Sequence, residues 1–163
     1  MRQVSTPLLD AIDLQILAAL ASNGRISKVK LARATGLSPT PCTVRIERLE
    51  AAGYIGGYHA DIDIERLGSL SQFVVLATIR DCTTEKASQF EAIVAGSPHI
   101  LGCDAVAGAA DYAMRIFARN VRHYHEIMAP FLAMEIDYTT YPVSKAVKDR
   151  ATPDIKRLFG AAP

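Results

Sequence analysis

Residues 25–53, RISKVKLARATGLSPTPCTVRIERLEAAG, carry the pattern from which the rest of the chain can be read. Ser27 precedes an apolar-periodic run and can accept a hydrogen bond from the free amides at its start. Leu31, Ala32 and Thr35 recur at one-face spacing, which predicts a helix with an inward stripe. Gly36 ends that helix, since glycine enters the left-handed conformation of a tight exit at little cost. Leu37 can plug the core beneath the turn. Ser38 is a second N-cap, Pro39 takes the first helical position, and Pro41 still lies in the first turn, where amides lack intrahelical partners. Cys42, Ile46, Leu49 and Gly53 line the inner face, which leaves Thr40, Pro41, Thr43, Val44, Arg45 and Arg48 on or near the outer one. Two short helices around a tight turn are the shape of a helix-turn-helix, whose second helix enters a DNA major groove.

A recognition helix needs its first residues at base edges and basic residues near phosphates. Thr40 and Thr43 offer hydroxyls and methyls, Arg45 can donate a fork to guanine or phosphate, and Lys28 suits a phosphate. A solvated amphipathic helix in a plain helical hairpin is the bland alternative. Charge placement favours the DNA reading although the net charge is only +1. Residues 1–60 hold seven Lys/Arg, Arg2 among them, against four acids, and the remainder holds eleven against thirteen. The basic excess is local, as a phosphate-facing surface requires. It is also small, so one copy should bind weakly and linked copies are implied.

Outward from this stretch, residues 9–21 read as a first helix with Ile12, Ile16, Leu17 and Leu20 inward and Asp10 at its start. Residues 54–64, YIGGYHADIDI, alternate loosely and predict a strand leading out of the unit, followed by a connector over 65–71. From Gln72 the texture is strand 73–80, helix 85–95, strand 100–107, strand 112–118, helix 121–133 and strand 136–143. That order is a βαββαβ ferredoxin-like unit. The tail after Ser144 can add a short helix, which Pro153 limits or starts. The predicted class is α+β: a winged-type helix-turn-helix domain over 1–60, a linker over 61–71, and a ferredoxin-like domain over 72–163. A sheet with helices on one face leaves the other face to be covered, and self-association does that simply, so the chain is expected not to be a monomer.

The string SPTPCTVRIERLEAAGYI resembles the recognition helix and following strand of the Lrp/AsnC (feast/famine) family of bacterial and archaeal transcription regulators. The likeness continues through Leu9-Asp10 and Ile12-Asp13-Leu14-Gln15-Ile16-Leu17 upstream, and through Gly57-Tyr58 and Gly108-x-x-Asp111-Tyr112 downstream, so it covers most of the chain. It implies a sequence-specific regulator of double-stranded DNA, with Lys28, Ser38, Thr40, Pro41, Thr43, Val44, Arg45 and Arg48 at the duplex. It implies homodimers, in which the segment after the recognition helix pairs with its counterpart, assembling further to octamers. It also implies a small-molecule effector, usually an amino acid, bound between dimers at Ala107, Gly108, Asp111 and Tyr112. The chemistry fits: a glycine turn exposes amides to a carboxylate, and the Asp111 carboxylate can hold an ammonium group. On residues alone, Gly108 could simply turn a hairpin and Asp111 cap it. The sequence departs from the family where Ala107 replaces a frequent Ser or Thr, Asp104 follows Cys103 in place of His, Ala109 and Ala110 are small, Val44 replaces an acid and Glu47 a base.

Other function classes find little support. No apolar run nears membrane-spanning length and the start shows no secretory pattern, so a cytoplasmic protein without a membrane partner is expected. Three widely spaced cysteines, Cys42, Cys82 and Cys103, fit reduced thiols, with Cys42 packed inward. His123 and His125 sit two apart on a helix while His59 and His99 lie in unrelated segments, and all four read as surface residues. His99, Cys103 and Asp104 fit no zinc spacing, and no phosphate loop or nucleophile elbow occurs, so no metal, cofactor or catalysis is expected. The rivals are an enzyme resembling the siroheme decarboxylases, which share the family's fold, and a sensor whose helix-turn-helix no longer binds DNA.

Overall fold

The computed structural model describes residues 8–60, 62–147 and 155–159. The chain divides into two compact units, one built on the N-terminal helices and the other spanning Ile62–Val147. In the first, the Asp10 carboxylate accepts from the Asp13 amide at 2.8 Å and that of Asp13 from the Asp10 amide at 3.1 Å. This reciprocal cap starts α1 (Ala11–Ser22) two residues later than the apolar period alone suggests. Ser27 caps α2 (Lys28–Ala34) through the Lys30 amide, and Pro39 opens α3 (Pro39–Ala51) behind Ser38, whose hydroxyl makes no capping bond. Both α2 and α3 end the same way. Gly36 and Gly53 take φ of +69° and +78°, and the following amides, of Leu37 and Tyr54, donate back to Ala32 and Leu49 at 2.9 and 3.0 Å. Leu37 and Tyr54 then pack on a core of Ile16, Leu31, Ala32, Cys42, Ile46 and Leu49.

Among the described residues of 54–64 no strand forms, contrary to the sequence reading. A strand exists only where another backbone edge accepts its hydrogen bonds, and a single chain offers this segment none. The expected connector instead holds one helical turn, α4 (Ile64–Leu67), capped by Asp63.

The second unit is the βαββαβ arrangement that the sequence predicts. Its elements are β1 (Ser71–Ile79), α5 (Thr84–Gly96), β2 (Ile100–Ala105), β3 (Tyr112–Ala118), α6 (Val121–Leu132) and β4 (Ile136–Pro142). The strands lie in the order β2-β3-β1-β4, all antiparallel, with Val75 opposite Met114 on one side and Thr140 on the other. Burial along β1 and β3 alternates strictly. Phe73, Val75, Ala77, Ile79, Tyr112, Met114, Ile116 and Ala118 face Phe90, Tyr124, Ile127, Met128 and Phe131. The opposite sheet face carries half-buried Val74, Leu76, Ala113, Arg115 and Phe117.

A tail helix, α7 (Ile155–Phe159), lies against α1, so it groups with the first unit rather than with the second domain where the sequence reading put it. Pro153, read as its limit or its start, and Arg2 lie outside the described residues.

Candidate nucleic-acid interface and effector loop

The buried faces of α2 and α3 fix what the outer face of α3 presents. With Cys42, Ile46 and Leu49 inward, Thr40, Pro41 and Val44 are exposed, and with Arg45 and Arg48 they line a shallow hollow of about 410 Å³. Ser38 and Lys28 are exposed at the starts of α3 and α2. Five of the sequence-predicted DNA residues thus meet at one hollow on α3, Thr43 lies half-buried beside them, and the other two stand at helix starts.

The arginines are already engaged. Arg45 Nη1 donates to Asp10 at 2.6 Å and to Asp13 at 2.9 Å, and Arg48 Nη2 donates to Asp13 at 2.5 Å. Asp13 is wholly buried beneath them, while the Arg45 and Arg48 side chains keep 26% and 44% of their exposure. The Asp13 amide, and after it the Arg45 guanidinium, hold the Asp10 carboxyl below its ordinary range, and Asp10 in turn raises Arg45. The same two carboxylates therefore cap α1 and clamp α3. Sequence reasoning gave Asp10 only a capping role and missed Asp13, because the pairs join residues 32 and 35 apart. The Thr43 hydroxyl is also used, donating to the Pro39 carbonyl at 3.0 Å.

The predicted effector loop joins β2 to β3. The Val106 amide donates to the Asp111 carbonyl at 2.8 Å and the Asp111 amide to the Ala77 carbonyl at 2.9 Å, so the loop is tied at its base, and the Thr78 hydroxyl holds it again by donating to the Ala109 carbonyl at 3.3 Å. One Asp111 carboxylate oxygen accepts from the Ile79 amide at 2.8 Å. Gly108 has no left-handed φ, and a Cβ built on it would meet nothing within 4 Å. Its own backbone therefore does not require glycine. Tyr112 points away from the loop into the core, its ring 4.4 Å from that of Phe90 and its hydroxyl donating to Glu91 at 3.0 Å. Burial, and then the Glu91 carboxylate, push its pKa up to about 12.

The histidines differ from the sequence reading. His123 is buried, its Nδ1 accepting from the Arg119 amide at 3.2 Å and its ring edge-on to His99 at 4.5 Å. Asn120 caps α6 through the His123 amide at 2.9 Å, and this turns the side chain at the third helical position back toward Arg119. Both rings border a cleft of about 490 Å³ between α5 and α6, with Ile93, Glu126 and Pro130. Among the described residues no group of three or more His, Cys, Asp or Glu is placed to hold a metal ion. No described helix is long and apolar enough to cross a membrane.

A family profile described as winged helix-turn-helix DNA-binding matches residues 9–55, and one described as Lrp/AsnC ligand binding domain matches residues 72–153. The chain belongs to the Lrp/AsnC family. It is 37% identical to the transcriptional regulatory protein DoeX of Halomonas elongata over 143 residues, 86% of this chain and 90% of that protein. It is 34% identical to the leucine-responsive regulatory protein of Escherichia coli over 143 residues, 86% of this chain and 87% of that one. A transcriptional regulator of Neisseria meningitidis, solved as a complex with L-methionine, superposes with a TM-score of 0.83 at 29% identity over 93% of this chain and 99% of that one. The two profiles fall on the two units, so this Lrp/AsnC protein is a DNA-binding transcription regulator with a ligand-binding domain. The relatives and the solved structure named here are transcription regulators.

Proposed function

We propose that this Lrp/AsnC regulator binds double-stranded DNA as a homodimer and that an amino acid at the β2–β3 loop alters that binding. The outer face of α3 carries the first half of the reading. Thr40, Pro41, Thr43, Val44, Arg45 and Arg48 would face the major groove, and Ser38 and Lys28 the phosphates beside it. Two such helices would lie about one helical turn apart on a near-palindromic site. The apolar sheet face of Val74, Leu76 and Phe117 supports pairing of two copies, and further assembly to octamers is the arrangement that the resemblance implies. Free thiols and a DNA partner support a cytoplasmic location.

For the effector, the loop offers Ala107 and Gly108 as a small-residue floor and the Asp111 carboxylate as an anion for an ammonium group, with Tyr112 anchoring the strand behind it. A glycine that its own backbone does not require leaves space for something that approaches closely. The methionine complex of the Neisseria regulator supports an amino acid as the ligand class. The test is a thermal-shift screen of the full chain against the common amino acids, with Asp111→Asn as control. Asparagine keeps an acceptor for the Ile79 amide while removing the charge. The expected result is a concentration-dependent rise in Tm for the parent that is lost in the variant. A rise that persists in Asp111→Asn removes Asp111 from the site.

A further inference from the structure

The outer face of α3 is less cationic and more apolar than its sequence suggests. Arg45 and Arg48, the side chains suited to a guanine fork, are held by Asp10 and Asp13. The Thr43 hydroxyl is spent on the helix backbone. Pro39 and Pro41 remove two of the first amides, so the start of α3 offers a phosphate fewer donors than most helix starts. What stands outward is Val44, 59% exposed, one turn from exposed Thr40 and beside Pro41, along the apolar side of the hollow. The major-groove edges of the bases present donors and acceptors and a single apolar group, the 5-methyl of thymine.

We propose that Val44, with Pro41 and Thr40, reads thymine methyl groups, and that this apolar contact sets sequence preference in place of an arginine fork to guanine. The inference rests on the DNA-binding reading above and deepens it. Arg45 and Arg48 then act as clamped positioning groups that orient α3 in the groove. Deoxyuridine in place of thymine removes the methyl and keeps the hydrogen-bonding edge. Burying one such group is worth about a fourfold change in affinity, so two half-sites should give about fifteenfold.

The experiment starts from a duplex that the full-length protein selects from a randomised library. That duplex is made again with deoxyuridine replacing every thymine, and both forms are titrated with the parent and with Val44→Ala. Alanine at this exposed helical position leaves the core untouched and has the higher helix propensity, so the variant folds. The expected result is a loss of about fifteenfold on the uridine duplex for the parent and under about twofold for Val44→Ala. An equal loss for both proteins means that the methyls are sensed elsewhere or through duplex stiffness, and overturns the proposal. No loss for the parent overturns it as well. Failure to select any duplex overturns the DNA-binding reading itself, and this inference with it.

Discussion

Asp13→Asn tests the clamp on the recognition helix. The buried Asp13 carboxylate accepts from Arg45 Nη1 at 2.9 Å, from Arg48 Nη2 at 2.5 Å and from the Asp10 amide at 3.1 Å. Asparagine preserves the shape and one acceptor, so the amide of Asp10 stays satisfied, but the two guanidinium groups lose their anion and meet an amide that can donate toward them. Breaking a fully buried pair by removing one partner costs about 3–5 kcal/mol. Both arginines reach water here, so part of that cost is recovered by rehydration, leaving about 2–3 kcal/mol. Hydrogen exchange read on peptides from α1 and α3 of the full chain reports the opening of this unit separately from the sheet domain. Protection there should fall about 30- to 150-fold, with the β1 and β3 peptides unchanged. A fall below about threefold would refute the reasoning, since the pairs would then contribute no more than exposed ion pairs do.

Gly36→Ala should destabilise the first unit by about 1 kcal/mol, because its φ of +69° places a Cβ against the following carbonyl; an unchanged urea midpoint would contradict this. Gly108→Ala should leave stability within about 0.5 kcal/mol yet weaken the amino-acid Tm shift, and a normal shift would detach that residue from the ligand. Tyr112 titrates higher in the fold than in the unfolded chain, so its contribution is whole below about pH 10 and is lost as pH rises to about 12, at about 1.4 kcal/mol per unit. Tyr112→Phe should flatten that part of the stability profile, and a slope as steep as the parent's would show that other groups carry it. Lys28→Ala should weaken binding to all duplexes alike and lower the salt slope by about 1, whereas an unchanged slope would rule out a phosphate contact.

What the sequence made legible was local or periodic. Ser27, Gly36, Pro39 and Gly53 act through backbone groups within five residues of themselves, and the alternation in β1 and β3 follows from one face meeting α5 and α6. The recognition-helix face was legible for the same reason, since burial of Cys42, Ile46 and Leu49 settles what remains outside. What stayed hidden depends on tertiary approach. Nothing near Asp13 marks it as buried, because its partners arrive from α3. His99 and His123 meet only once α6 packs on the sheet. Tyr112 follows Asp111 directly, yet strand alternation sends its ring to the core while Asp111 stays at the loop. Residues 54–64 have the texture of a strand, but a ladder needs a second edge that no local pattern supplies.

Since Asp10 and Asp13 hold α3 in place, the outward side chains at 40, 41 and 44 contribute little to the folding energy of the unit. Operator choice and thermal stability are thereby separable traits in this chain. A duplicated gene could change the residue at 44, shift to new promoters in single steps, and pass through no intermediate that fails to fold.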